Sequence, residues 1–570
     1  MKLSDYIVQF FIEKGITDVF GYPGGSVTNL MDSLKKREEE INAHVVYHEQ
    51  AAAFSACSYA VVAEVPGVAY ATGGPGATNL VTGIGHAYYE SIPVIFITGN
   101  VNTYEEKLNS EMRQRAFQES DIVSVVSTLT KFSVHIKKEQ DIKYYLEKAY
   151  FMAMEGRKGP VLLDIPMNIQ RADIEIDSLR GYNEEYNIEY DKEKNFKNVI
   201  TELLTNANHP CIILGNGAKN QTTSALASQV INKFKIPYVT SMIAFDIIGN
   251  NKYYFGFLGA YGMRQANFIA AKSDLVISIG SRLDIRQVGV KREEFAQNAK
   301  IVRIDIDKSE LSYKVHSDEI SFFLSAQRAL ELMLEIDIEK DYSRWMEVCK
   351  QIRNELCGYD DKLPNEYIHE ISKLIPENSI ITTDVGQNQV WVAQSFQLKN
   401  GQKILFSGGM GAMGYALPAA IGAYYGRKKT IVCICGDGGL QMNIQELQYL
   451  VREKIPVKIF VINNNALGMI RHFQEMYFNG CYFQTTPQGG FTSPDFGKIA
   501  EAYGIEHRAI CSSIEVKECK DLIESDLPAL IEIIINENTY IIPKLEFGQP
   551  NQDQWPKLNR ELYKKLNELK

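Results

Sequence analysis

At 570 residues, with hydrophobic side chains making up 45% of the chain, the protein is long enough for several domains with substantial cores. Its 60 Lys and Arg stand against 70 Asp and Glu, a formal charge of −10, which argues against a general nucleic-acid surface while leaving room for local phosphate pockets. The nine cysteines are scattered without a Cys-x-x-Cys pair, the pattern of buried thiols in a reducing compartment, so a cytoplasmic location is expected.

Met1-Lys2-Leu3-Ser4-Asp5-Tyr6 leads straight into an amphipathic helical pattern without an apolar signal-peptide core. No run reaches the ~18 apolar residues of a membrane span. After strand residues Val45 and Val46, His48-Glu49-Gln50-Ala51-Ala52-Ala53 opens a helix of small residues. Taken alone, Glu49 is an ordinary first-turn carboxylate favoured by the helix dipole. Tyr70-Ala71-Thr72-Gly73-Gly74-Pro75-Gly76 then closes an apolar run, and Ile92-Pro93-Val94 begins the next. Ile212-Ile213-Leu214-Gly215-Asn216-Gly217 with Ile236-Pro237-Tyr238 repeats the arrangement, and so does Gly436 with Ile455-Pro456-Val457. From Gly73 to Pro93, Gly217 to Pro237 and Gly436 to Pro456 the distance is 20 residues each time. Strand, glycine turn, helix, strand thus recurs three times, and continuous apolar strands alternating with helices predict parallel sheets covered on both faces. The expected fold class is α/β, with three doubly wound parallel-sheet domains at 1–175, 190–340 and 360–540. Polar links at Asp177–Lys197 and Asp337–Lys362 separate them, and a tail follows at 541–570.

The third domain carries the sharpest chemical signal. Asp437, in Gly436-Asp437-Gly438-Gly439, and Asn464, in Asn463-Asn464-Asn465, lie 27 residues apart, each after an apolar run, with a helical stretch between. A βαβ crossover returns both to one sheet edge, where a carboxylate, an amide and a backbone carbonyl suffice for a Mg²⁺ that takes its remaining oxygens from phosphate. The alternative is a turn with an Asp cap and an Asn-rich loop. Gly409-Met410-Gly411-Ala412-Met413-Gly414 also fits the G-x-G-x-x-G of dinucleotide folds, but that reading leaves Gly436, Gly438 and the Asn triplet without a role.

GDG followed by Asn-Asn resembles the signature of the thiamine diphosphate (ThDP) enzymes. Nearly the whole chain resembles their acetohydroxyacid (acetolactate) synthase branch, through Phe20-Gly21-Tyr22-Pro23-Gly24-Gly25, His48-Glu49-Gln50, Gly74-Pro75-Gly76-Ala77-Thr78-Asn79-Leu80, Phe117-Gln118-Glu119, Asp384-Val385-Gly386-Gln387, Gly408 to Gly414 and Leu467-Gly468-Met469. The resemblance implies three domains: pyrimidine-binding, central FAD-type and diphosphate-binding. It implies that Glu49 activates the aminopyrimidine, that Tyr22, Gly24, Gly25, Pro75 and Asn79 line its pocket, and that Gln118 reaches the reacting centre beside Phe117. Asp437, the Asn464 side chain and the Ala466 carbonyl would hold Mg²⁺. Val385, Gln387, Asn388, Gly411, Met413, Gly438, Gly439, Gly468 and Met469 would complete the cofactor site. Arg157, Gly217, Arg282 and Asp305 would contact FAD in a structural role, the alternative being an empty, vestigial cleft.

The implied activity is carboligation: pyruvate is decarboxylated and its two-carbon unit is added to a second carbonyl, in a homodimer or homotetramer. Departures gather on the acceptor side. Phe473 stands where the family has an acceptor-selecting tryptophan, Asn388 replaces a diphosphate-side histidine, Met167 a channel lysine, and Tyr261 a flavin-side histidine. Other expectations are acetyl transfer to a keto sugar nucleotide, suggested by the tail from Leu545 to Leu558, simple 2-keto acid decarboxylation, and a noncatalytic assembly subunit. His86, His135 and His472 read as structural.

Overall fold

The computed structural model describes residues 1–109, 111–183, 190–249 and 251–569. Three six-stranded parallel sheets follow one another along the chain. The first holds β1 (Asp18–Gly21), β2 (Asn42–Val45), β3 (Gly67–Ala71), β4 (Val94–Asn100), β5 (Phe132–His135) and β6 (Val161–Pro166). The second holds β7 (Pro210–Leu214), β8 (Tyr238–Thr240), β9 (Tyr254–Phe257), β10 (Leu275–Ile279), β11 (Lys300–Asp305) and β12 (Ile320–Phe323). The third holds β13 (Ile380–Thr383), β14 (Lys403–Leu405), β15 (Ile431–Gly436), β16 (Lys458–Asn463), β17 (Glu506–Ile510) and β18 (Ala529–Ile534). Central strands such as β4 and β6 are buried at every residue, as expected where helices cover both faces of a sheet.

Strand order shows how far the threefold recurrence goes. The first sheet runs β2-β1-β3-β4-β6-β5 and the third repeats that order as β14-β13-β15-β16-β18-β17, but the middle sheet runs β9-β8-β7-β10-β11-β12. Gly73 and Gly436 therefore turn out of the third strand of their sheets towards the fourth, whereas Gly217 turns out of the first strand of its sheet towards the second. The outer sheets share side-chain placement too. Asn100 at the end of β4 donates to Asp164 of β6 at 2.8 Å, and Asp164 pairs with His135 of β5 at 2.6 Å. Asn463 at the end of β16 donates to Glu532 of β18 at 2.7 Å, and Glu532 faces His507 of β17 at 3.3 Å.

The outer domains meet through α1 (Glu49–Ala63) and α2 (Ala416–Gly426). The small residues of both helices allow a very close approach: a Cβ on Gly422 would lie 1.9 Å from the Ser55 carbonyl oxygen, and Ser55 Oγ donates to the Pro418 carbonyl at 2.8 Å.

Segments expected as links or tail are largely packed structure. Asp337–Lys362 contains the helix Ser343–Leu356, whose Trp345, Val348, Cys349 and Ile352 enter the middle core. Its apolar residues recur at helical spacing beneath a polar composition, so composition alone hid it. The stretch 177–197 lies partly outside the described residues, and the helix Glu193–Asn206 begins within it. The tail returns to the middle domain, where Leu558 and Leu566 join the core. The buried Arg264 pairs with Asp360 and donates to the carbonyls of Gln554 and Pro556. No described helix is long and apolar enough to cross a membrane.

Candidate active site

β13 and β15 are neighbours at the point where the strand order of the third sheet reverses, the place where open α/β sheets leave a crevice at their carboxyl ends. A cavity of about 1010 Å³ opens there and extends to the corresponding crevice of the middle sheet. Asp437, Asn464 and Ala466 line it, with Gly438 and Gly439 behind Asp437. Val385, Gln387, Asn388, Gly411, Met413, Gly468 and Met469 line the same space, so the expected diphosphate-side residues converge.

Asp437 is 3% exposed, and its Oδ2 accepts from Ser493 Oγ. Burial pushes its carboxyl up to about 6, although Ser493 and the N–H groups of Gly438 and Ala466 favour the ionised form. Asn464 Oδ1 accepts the Ala466 N–H at 3.2 Å, and its Nδ2 faces Gln387 Oε1 at 3.3 Å. A larger residue would crowd these groups. A Cβ on Gly468 would lie 1.9 Å from Gln387 Oε1, and one on Gly438 would meet Leu467 at 3.0 Å and the Met413 methyl at 3.4 Å. A buried carboxylate, an amide and a carbonyl held where a Cβ would intrude fit a divalent cation and the phosphates it bridges. Asn388 is spent differently from a phosphate ligand: its Nδ2 donates to Thr383 Oγ1 and to the carbonyls of Asp384 and Ile434.

The middle domain supplies Gly217, Arg282 and Asp305 to the cavity, and the first domain supplies Arg157. The turns after β7 and β10 touch through backbone: a Cβ on Gly215 would lie 2.2 Å from the Gly280 carbonyl. Arg157 is bound to Asp307 at 2.8 Å, Glu310 at 3.0 Å and Ser91 at 2.9 Å. Ser241 lines this part, and its buried Oγ has no partner, an orphan that a polar ligand in the crevice would satisfy.

A second cluster stands apart from the cavity. Glu49 opens α1, is 8% exposed, and accepts from Asn79 Nδ2 at 2.9 Å on Oε2. Asn79 ends the short helix Pro75–Asn79, and Gly76 of that helix leaves room beside Glu49 Oε1, 3.1 Å from where a Cβ would be. Thr72 fills the space over Gly24, whereas nothing lies within 4 Å of a Cβ on Gly25. Gln118, itself at φ 63°, packs on Gly74. Tyr22 is 40% exposed and Phe117 86%. None of Glu49, Tyr22, Gly24, Gly25, Pro75, Asn79, Phe117 and Gln118 lines the cavity. Neither does Phe473, which lies on α4 (Gly468–Tyr477), packed against Tyr477 and Phe547 with Lys544 Nζ 5.9 Å above its ring.

The histidines behave as structural groups. His86 is buried against Phe54 and Tyr415, and burial lowers its pKa to about 3. His472 stacks on Tyr540, its pKa lowered to about 4. His135 bridges Asp164 and Glu106.

Four contributors were not evident in the sequence. Asp384, pushed up to about 7 by burial, accepts the N–H groups of Gly414 and Ala416 at 3.0 Å and so shapes the loop bearing Gly411 and Met413. Glu90, at the end of the helix Val81–Glu90, accepts the Gly409 N–H across the domain boundary. Lys219 and Arg286 also line the cavity. Only Asp384 lay inside a recognisable motif, and the others carry no local signal.

Family models describe the same division. Residues 1–125 match the N-terminal TPP binding domain of thiamine pyrophosphate enzymes, 198–333 their central domain, and 384–533 their C-terminal TPP binding domain. The chain is 33% identical to the acetolactate synthase large subunit of Lactococcus lactis over 557 residues, covering 96% of this chain and 94% of that protein. It is 32% identical to the large subunit of acetolactate synthase isozyme 2 of Escherichia coli over 98% and 100% of the two chains. It is 35% identical to a probable acetolactate synthase large subunit of Methanocaldococcus jannaschii over 94% and 92%. The chain therefore belongs to the thiamine pyrophosphate enzymes, in the family of acetolactate synthase large subunits. It is a ThDP-dependent carboligase, which sets aside the dinucleotide reading of Gly409 to Gly414.

Proposed function

We propose that the protein decarboxylates pyruvate and joins the two-carbon unit to a second 2-keto acid, forming acetolactate when that acid is again pyruvate. The observation that carries the reading is the convergence of Asp437, Asn464 and Ala466 on a glycine-lined cavity in a chain with thiamine-binding domains at both ends. Asp437, the Asn464 side chain and the Ala466 carbonyl would hold Mg²⁺, and Gly438 and Gly468 would let the diphosphate approach the backbone. Met413 would support the bound cofactor, and Glu49 would hold the proton at N1′ of its pyrimidine. Bound ThDP supplies the electron sink through which a 2-keto acid loses CO₂ and its remaining carbon becomes nucleophilic.

Because the Glu49 cluster does not line the cavity of its own chain, each site is completed by a second copy, and the active unit is at least a homodimer. FAD would be held in the middle crevice by Gly217, Arg282 and Asp305 together with Arg157, in a structural role, since the reaction transfers no net electrons. Incubation with pyruvate alone and with competing acceptors, read by mass spectrometry, tests the assignment. Acetolactate is the expected product, and release of acetaldehyde alone would overturn it.

A further inference from the structure

We propose that Glu446, in the third domain, is the positioning residue for Glu49 of the same chain. The inference rests on the pyrimidine-side role of Glu49 proposed above.

The turn containing Glu446 and the following helix α3 (Leu447–Glu453, which precedes α4 in the chain) reach across to the segment that enters α1. Glu446 is 0% exposed, and its Oε1 accepts the Tyr47 N–H at 2.9 Å. The same stretch makes further contacts: Tyr449 Oη lies 3.0 Å from His44 Nδ1, and Arg452 donates to the Val45 carbonyl at 2.7 Å and to the Tyr47 hydroxyl at 3.2 Å. Tyr47 is followed by His48, whose side chain caps α1 through the Gln50 N–H at 3.1 Å, and then by Glu49. β2 ends at Val45, and Val46 donates to the Gly21 carbonyl. Beyond that point no strand partner fixes the chain. A backbone donor withdrawn from water needs an acceptor, and the one that meets the half-buried Tyr47 comes from a residue 399 positions away. Glu446 thus sets where the first residue of α1 begins, while Asn79 fixes only one oxygen of its carboxylate.

Burial pushes the Glu446 carboxyl up to about 8, although the N–H groups of Tyr47 and His48 favour the ionised form, so near neutral pH the group holds its proton. Its carbonyl oxygen, rather than a charge, holds Tyr47. Glutamine offers the same oxygen at the same reach, and aspartate falls one methylene short.

The test compares Glu446→Asp, Glu446→Gln and Glu49→Gln by two readings. One is amide deuterium exchange over residues 45–50 in cofactor-free protein. The other is deuterium exchange at C2 of added ThDP. Glu446→Asp is expected to lose amide protection and to slow C2 exchange about 10²-fold, the size of effect that displacement of a reacting group by about 1 Å produces, with ThDP affinity unchanged. Glu446→Gln is expected to match the wild type in both. Wild-type protection and C2 exchange in Glu446→Asp, beside slow exchange in Glu49→Gln, would overturn the positioning role alone. A Glu446→Gln protein as slow as Glu49→Gln would overturn it whether or not the aspartate variant folds. Wild-type C2 exchange in Glu49→Gln would instead overturn the reading of Glu49 itself and the inference with it.

Discussion

Glu49 has one carboxylate oxygen committed to Asn79 and the other facing the space that Gly76 leaves open, the arrangement of a group fixed by one neighbour and available to a ligand. Glu49→Gln preserves the Asn79 contact and removes only the proton-holding capacity. Turnover is expected to fall by roughly 10²- to 10⁴-fold while ThDP still binds, and undiminished turnover would remove Glu49 from the chemistry. Asp437 is the converse case, a buried carboxylate opposed only by hydroxyl and N–H groups. Asp437→Ala is expected to abolish Mg²⁺-dependent ThDP binding in calorimetry. Unchanged affinity and metal requirement would reduce Asp437 to a cap. Phe473 presents a phenyl ring that is 38% exposed and lies outside the cavity of its own chain. Its replacement by the larger indole should change the ratio of pyruvate to 2-ketobutyrate accepted in competition, by an amount on the scale of ~1–3 kcal/mol, and leave pyruvate decarboxylation nearly untouched. An unchanged ratio with a lower rate would mark Phe473 as packing only.

Among elements, the turn before α3 bears the titratable group of clearest consequence. Glu446 has an ordinary carboxyl value of 4.5 and is raised to about 8 in the fold, by burial above all, with the Tyr47 N–H and then Arg452 opposing. Between those values the folded protein keeps a proton that the unfolded chain has lost, so the contribution to stability is present at low pH and is lost as pH rises towards 8. Glu446→Gln should therefore gain stability relative to the wild type from pH 5 to 8 in denaturant titrations, and a constant difference would show that the carboxyl does not titrate there. The glycine turns, the strand at each and the opening of α1 at Glu49 were legible because they rest on local spacing and residue type. The middle strand order was not, since a glycine turn of the same length can leave the first strand of a sheet or the third. Helix Ser343–Leu356 was masked by its polar face. The hold of Glu446 on Tyr47, like that of Glu90 on Gly409, joins residues hundreds of positions apart, and no local pattern encodes such a pair.

At the scale of the whole molecule, the separation of the Glu49 cluster from the Asp437 cavity makes complementation a decisive measurement. Glu49→Gln and Asp437→Ala chains, each inactive alone, should recover activity when unfolded and refolded together, because a mixed dimer contains one site with both groups intact. Failure to recover it, with mixed dimers demonstrated by mass, would place both groups of a site in one chain. The shared frame of the outer sheets has a further, historical consequence. Both have the same strand order, a glycine turn out of the third strand, and an Asn, an acidic residue and a His at matching strands. Yet Gly74 and Val101 stand, 27 residues apart, where the third domain has Asp437 and Asn464. Such agreement in framework beside different residues at the two positions is what duplication of one domain would leave. The two positions after the third and fourth strands thus carry Asp437 and Asn464 in one copy of the frame and Gly74 and Val101 in the other, so a framework held in common need not hold its side chains in common.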